Sequence, residues 1–311
     1  MRALKGVLEH LPWLVAAAIL AVTVWLVPAF SKPAYWATLS EQYVTVAVLA
    51  LALTPIVLTG GIDLSVGSVT VFTSVVIGVL IRDAHWPIVW AMAAGVVAGL
   101  LAGLLNGALV AVGVVPLVAT LATREMFRGL AFSVGGEAGV DRLPGELQDF
   151  WEAPVLGLPL SAVVIGVLFV FTYVVVHHTW VGRMVYAAGD NEVAARFAGV
   201  PVRRLKLGLY AAAGLLAGVC GSAVVLRSGA AKADAEKALE LTAITCVVLG
   251  GVRITGGSGH VAGALLGTVT VVTLAAALND VPPNRRDMVL GGLLIAVAVC
   301  NEAARRWAAR H

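Results

Sequence analysis

The chain has 311 residues, 60% of them apolar and only 13% charged, with a mean hydropathy of +0.95. A soluble domain is usually about 25% charged, so a soluble globular fold is excluded, and so is any sizeable domain outside a bilayer. The formal charge of +3 carries no basic tract of the kind that binds nucleic acid.

A helix needs about 20 residues to cross roughly 30 Å of hydrocarbon, which leaves room for about ten spans. Arg2 and Lys5 precede an apolar run at 11–30. That run is too long for a signal peptide and lacks a small-residue cleavage site, so it reads as a retained first span. Residues 31–42, with Trp36, read as a short connection, and span 2 covers 43–58. Span 3 covers 66–81, ending at Arg82, Asp83 and Trp86, which mark an interface.

Where span 2 passes into span 3, a broken helix is expected near 60–67, with Gly60, Gly61, Asp63, Ser65 and Gly67. Glycines and a lone carboxylate between two spans predict non-helical backbone at membrane depth. Hydrocarbon cannot satisfy free N–H and C=O groups, so such backbone is expected only where it lines a watery path or is buried in protein. Asp63 reads either as a gate or coupling residue or as a cap for span 3 through the N–H groups of Ser65 and Val66.

Span 4 covers 87–112 and carries Gly95, Gly99, Gly103 and Gly107 at every fourth position, one close-packing helical face. Gly259, Gly263 and Gly267 repeat that spacing at the start of span 9. Span 5, 117–134, holds Arg124, Glu125 and Arg128, with Glu125 expected to pair with Arg128. These charges read either as a structural ion pair or as a polar lining of the path.

Residues 135–157, rich in acids, read as an outer, periplasmic cap, and span 6 covers 158–178. His177 and His178 beside Trp180 read as interface residues, because no carboxylate or thiol stands at ligand spacing. Residues 181–206 contain Arg183, Arg196, Arg203, Arg204 and Lys206, a cationic density that marks the cytosolic side. Spans 7 (207–226), 8 (235–250), 9 (260–278) and 10 (288–301) then return Arg305, Arg306 and Arg310 to the cytosol, where the N-terminus also lies.

Span 8 is short and depends on a turn with Asp234, Glu236, Lys237 and Glu240 to lengthen it. It ends in Gly250 and Gly251, a second broken helix over 250–259. Allowing one inserted residue, the run from Val248 to Thr255 matches the run from Val57 to Ser65, which points to an internal repeat. Cys220, Cys246 and Cys300 all fall in spans, where a thiol acts as a small apolar side chain. No catalytic or metal-binding spacing is present, and the chain reads as no enzyme by itself.

The residues from Thr59 to Val69 resemble the signature of the ribose-type sugar permeases, membrane subunits of ATP-binding-cassette importers that include the rhamnose and autoinducer-2 branches. The resemblance extends through three further stretches: Thr120, Leu121, Arg128 and Gly129; Gly182, Arg183, Tyr186, Gly189 and Asn191; and Ala243, Ile244, Gly256 and Gly257. Ala122, Arg124 and Arg253 depart from the pattern, and these departures bear on the substrate.

The resemblance implies an all-α, type II importer-like permease, one transmembrane domain over 1–311, in the bacterial inner membrane. It implies a second permease copy or paralogue, a periplasmic substrate-binding protein and an ATPase subunit that binds ATP and magnesium, with no cofactor in this chain. It also implies that Asn191, Glu192, Ala194, Ala195, Arg196 and Gly199 form a cytosolic coupling helix docked on the ATPase. The residues fit a helix there: Asn191 is a good N-cap, Glu192 suits the first turn, and Gly199 and Pro201 stop it. An interfacial helix on anionic lipid is the bland alternative. For the whole chain the alternatives are a branched-chain amino-acid or nucleoside permease, or an ion-coupled secondary transporter.

Overall fold

In hydrocarbon there is no water to satisfy backbone groups, so each apolar run closes its hydrogen bonds within itself as a helix. A computed structural model of the chain describes residues 11–234 and 238–279 and the isolated positions 282, 288, 291, 292, 295 and 299. Among the described residues there are twelve α-helices and no strand. In chain order they are α1 (Leu11–Leu26), α2 (Pro33–Leu58), α3 (Val66–Arg82), α4 (Ile88–Ala111), α5 (Pro116–Gly135) and α6 (Glu146–Glu152). There follow α7 (Leu160–His178), α8 (Trp180–Asp190), α9 (Glu192–Phe197), α10 (Val202–Ser228), α11 (Leu239–Leu249) and α12 (Val261–Ala277).

By length and composition α2, α4, α7 and α10 can each cross a membrane, and α1, α3, α11 and α12 are shorter apolar helices. Each of the first nine expected spans falls on a helix. The expected tenth lies almost wholly outside the described residues, as do Cys300, Glu236, Lys237 and the terminal clusters of Arg2, Lys5, Arg305, Arg306 and Arg310.

Two boundaries differ from expectation. The segment 31–42 is no simple connection, because α2 already begins at Pro33, whose missing N–H is no loss in a first turn. Ser40 Oγ lies 2.8 Å from Ser161 Oγ of α7. α2 then bends at Tyr43 (φ −115°, ψ 15°), and Arg227 at the end of α10 donates to the carbonyls of Glu41 and Gln42 at 3.2 and 2.7 Å. Span 8 starts at Leu239, later than expected, after Ala238 in a left-handed conformation. Of the described charges meant to lengthen it, Glu240 is helical and buried, while Asp234 lies outside the helix.

α4 and α10 form the most extensive helix pair, and the glycine stripe explains it. A Cβ at Gly99, Gly103 or Gly107 would overlap Gly214, Tyr210 or Leu207 of α10, while Gly95 faces Ile77 of α3. Gly263 and Gly267 likewise face Gly250 and Cys246 at the end of α11.

At one end, residues 135–157 fold over α6, and Val140 exchanges two backbone hydrogen bonds of 2.8 Å with Ala231, just after α10. Arg82, closing α3, reaches Gly139 there at 3.3 Å. At the other end, the last turns of α2, α8 and the loop before α12 meet. The two groups of loops thus alternate along the chain, as they must in a bundle of crossing helices.

Candidate functional site

Both expected breaks are present, and they share one ending. α2 finishes with Gly60 N–H donating to Val57 at 2.8 Å and Gly61 N–H to Ile56 at 3.0 Å. α11 finishes with Gly251 N–H to Val248 at 2.9 Å and Val252 N–H to Val247 at 3.2 Å. This paired closure needs a left-handed residue, supplied by Gly60 (φ +74°) and Gly251 (φ +86°). The repeat is therefore gapless at this point, Gly60 matching Gly251 and Thr59 matching Gly250, which corrects the register with one inserted residue. The non-helical backbone covers 59–65, so Gly67, expected inside it, belongs to the first turn of α3.

The backbone after the first break is held by a buried polar chain. Asp63 Oδ1 accepts from Ser65 N–H at 2.8 Å and from Ser65 Oγ at 2.7 Å. Ser65 Oγ accepts from Asn106 Nδ2 of α4 at 2.6 Å, and Asn106 Oδ1 accepts from Thr123 Oγ1 of α5 at 2.6 Å. Thr120 Oγ1 and the buried Tyr210 hydroxyl approach the Ile62 carbonyl at 3.3 and 3.4 Å. Asp63 thus orders the entry to α3 from two residues before its N-cap, Ser65. Asn106, Thr123 and Tyr210 were missed from the sequence; an amide alone in a charge-free apolar helix was the one available signal.

The charges on α5 pair differently from expectation. Glu125 lies against Arg124 at 2.7 Å, not Arg128, and Arg124 Nε donates to Glu240 Oε1 of α11 at 2.8 Å. A charge at the centre of a membrane helix costs about 3 kcal/mol on insertion scales, and the buried Glu240 offsets this by taking Arg124 as partner. The absent side chain of Gly67 makes room for it, since a Cβ there would overlap Glu240 Oε2. The two halves of the repeat therefore interlock: a carboxylate from the second fills the notch in the first.

Beneath them the two breaks touch. Gly257 N–H donates to the Leu58 carbonyl at 2.9 Å, and Gly60 lies against Thr255 and Gly256. Gly189 of α8 seals the contact, for a Cβ there would overlap both Leu58 and Gly257. Two residues on, Asn191 Oδ1 accepts from Ala194 N–H at 3.0 Å and caps α9. α9 closes at Gly199 (φ +86°) with the same paired bonds, to Arg196 and from Val200 to Ala195.

Glu192 ties α9 to Lys206 of α10 at 2.6 Å and also to Arg196. Burial alone would raise the Glu192 carboxyl; the hydrogen bonds and charges of Lys206 and Arg196 outweigh it and hold the carboxyl below its ordinary value. Of the small residues expected to face a partner, Ala194 is exposed but Ala195 is turned inward at 4% exposure. The outward apolar positions are Val193 at 63% and Phe197 at 90%, one turn apart.

His177 is more than an interface residue. Its Nε2 accepts from Val261 N–H at 3.2 Å, and its ring stacks on His260 at 3.8 Å; His260 Nδ1 accepts from Ala262 N–H at 3.2 Å. Together they cap α12. Among the described residues no group of three His, Cys, Asp or Glu could hold a metal ion. Cys220 and Cys246 are buried, and the Cys220 thiol donates to the Thr45 carbonyl at 3.8 Å.

Interrupted apolar helices that meet at one edge beside a short exposed helix define a multi-pass membrane protein of the transport class. Residues 35–298 match the family described as branched-chain amino acid transport system / permease component. Over 299 residues the chain is 36% identical to the ribose import permease protein RbsC of Bacillus subtilis (strain 168), covering 94% of this chain and 92% of the relative. It is 34% identical to RbsC of Escherichia coli (strain K12), covering 75% and 74%. It is 33% identical to the autoinducer 2 import system permease protein LsrD of Yersinia enterocolitica serotype O:8 / biotype 1B, covering 84% and 81%. No solved structure matches it. The chain belongs to this family of permease components, and the resemblance read from 59–69 holds over nearly its whole length.

Proposed function

We propose that this chain is the membrane-spanning subunit of an ATP-binding-cassette importer that carries a monosaccharide or similar small polyol across a bacterial inner membrane. The carrying observation is the bond from Gly257 to Leu58 beneath Gly189, which joins both helix breaks to α8 two residues before the cap of α9. The names of the relatives, import permeases for ribose and for autoinducer 2, support the cargo class.

In this reading the whole chain is one permease domain with both termini in the cytosol. Residues 135–157 face a periplasmic receptor, and 181–206 face the cytosol. α9 docks on a separate ATPase subunit, which binds ATP and magnesium, and a second permease subunit completes the path. Gly60, Gly61, Asp63, Ser65, Gly250 and Gly251 shape the moving segments, and Gly67 seats Glu240. ATP binding in the partner shifts the population between inward-open and outward-open packings through α9.

The test is uptake of labelled sugars by the complete complex in proteoliposomes. Competition by ribose or rhamnose with none by leucine is the expected result. Competition by leucine alone would move the cargo to branched-chain amino acids. Uptake abolished by an uncoupler yet unaffected by loss of the ATPase would replace the importer with a secondary transporter.

A further inference from the structure

The chain turns from α9 into α10 through an elbow that encloses a cavity of about 400 Å³. The cavity is lined by Arg196 of α9, by Val200 and Pro201 of the elbow, and by Val202, Arg203 and Arg204 of α10. A space of this size is in the range of small-ligand sites. Three of its six lining residues carry a guanidinium group, and no carboxylate lines it.

The cations around it outnumber their partners. Within 181–206, Arg183, Arg196, Arg203, Arg204 and Lys206 stand against Asp190 and Glu192 alone. Glu192 is already taken by Lys206 and Arg196, and α10 has no acid in its first turn. Arg203 and Arg204 are exposed, and among the described residues neither side chain has an ion pair or a hydrogen bond. Like charges gathered round one hollow repel each other unless an anion joins them. Arg196 commits one nitrogen to Glu192 and keeps further N–H donors for a second acceptor.

Depth selects the anion. α10 has 27 residues, about 40 Å at 1.5 Å each, against roughly 30 Å of hydrocarbon. Its uncharged stretch is 207–226, so Arg203 and Arg204 stand in the headgroup layer, at the level of the lipid phosphates. A guanidinium meets a phosphate through two parallel N–H bonds, and Val200 and Pro201 give an apolar wall for the glycerol backbone.

We propose that this cavity binds a phosphate-bearing anion between Arg196, Arg203 and Arg204, supplied by the headgroup of an acidic phospholipid such as phosphatidylglycerol. The bound phosphate ties α9 to α10 across the elbow. The site depends on α10 crossing the bilayer, and on neither the cargo nor the ATPase.

In the experiment the full chain, purified in a neutral detergent, is mixed with phosphatidylglycerol or phosphatidylcholine, and retained lipid is counted by native mass spectrometry; inorganic phosphate is titrated in parallel by calorimetry. Phosphatidylglycerol is expected to be retained at about tenfold lower concentration than phosphatidylcholine. Replacing both Arg203→Gln and Arg204→Gln should weaken its retention about twenty-five-fold, about fivefold for each basic residue at an anionic headgroup. Arg183→Gln, exposed on the same segment but outside the cavity, should leave it unchanged.

An equal loss in Arg183→Gln, or no preference over phosphatidylcholine and no heat with phosphate, would overturn the site. Binding of inorganic phosphate without that preference would overturn the lipid as its source. A double variant that keeps the lipid but loses ATPase co-purification would assign the arginines to an acidic partner surface and overturn the proposal. The lipid count needs neither sugar nor ATP, so its failure leaves the proposed function standing, and failed sugar uptake leaves this site standing.

Discussion

Asp63 is buried, and its Oδ1 takes both of Ser65's donors, an arrangement that an amide oxygen can reproduce. Asp63→Asn is therefore expected to leave uptake within about twofold of the parent if the group only orders the backbone. Loss of uptake with normal membrane assembly would instead assign the charge itself to the transport step. Asn106 has no such substitute. Asn106→Leu strips Ser65 and Thr123 of their shared partner in a medium without water, which costs about 2 kcal/mol. The melting temperature of the purified complex should fall by several degrees, and an unchanged melting temperature would show the chain to be ornamental.

These residues show where sequence reading stops. Gly60, Gly61 and Asp63 announce themselves within one stretch. Asn106, Thr123 and Glu240 become meaningful only once helices 17 to 116 residues apart in sequence are packed together.

Among the elements, α9 is short enough that isolated helix propensity could not hold it. It survives on its Asn191 cap, its glycine closure and the Glu192 to Lys206 pair. Glu192 has a folded pKa below its ordinary value, so its stabilising contribution is complete above the unfolded pKa and is lost as pH falls through the lower folded value. The protection factors of α9 amides, referred to the intrinsic exchange rate at each pH, should fall on acidification across that window, and Glu192→Gln should abolish the fall.

If α9 docks on an ATPase as proposed, the contact falls to the outward Phe197 and Val193, not to the inward Ala195. Phe197→Asp is expected to weaken ATPase co-purification by roughly thirtyfold or more, the weight of a buried aromatic anchor at an interface, while the permease still assembles. The sequence made α9 legible through its caps, whereas its outward face depended on how α8 and α10 turn it. Apolar runs and their polar breaks located the nine helices on which the first nine expected spans fall. Extending α2 to Pro33 took a tertiary partner, Ser161, that no local pattern reveals.

For the molecule as a whole, the loops sort into two groups, one around Val140 and Ala231 and the other around Leu58, Gly189 and Gly257. In the proposed orientation, which the cationic density of 181–206 supports through the positive-inside rule, the second group faces the cytosol. A cysteine introduced by Phe150→Cys should then react with an impermeant maleimide from outside intact spheroplasts, and one introduced by Phe197→Cys only after permeabilisation. The reverse pattern would invert the topology.

The contact of Gly257 with Leu58 under Gly189 has a mechanical corollary. Backbone presses on backbone there with no side chain between, so that spot has little compliance and acts as a fulcrum. Displacement must grow with distance from it: a tilt of about 5° carried along the 17 residues of α3, at 1.5 Å each, moves the far tip by roughly 2 Å. In the proposed orientation, a small push at the cytosolic edge would thereby become a larger swing at the opposite mouth.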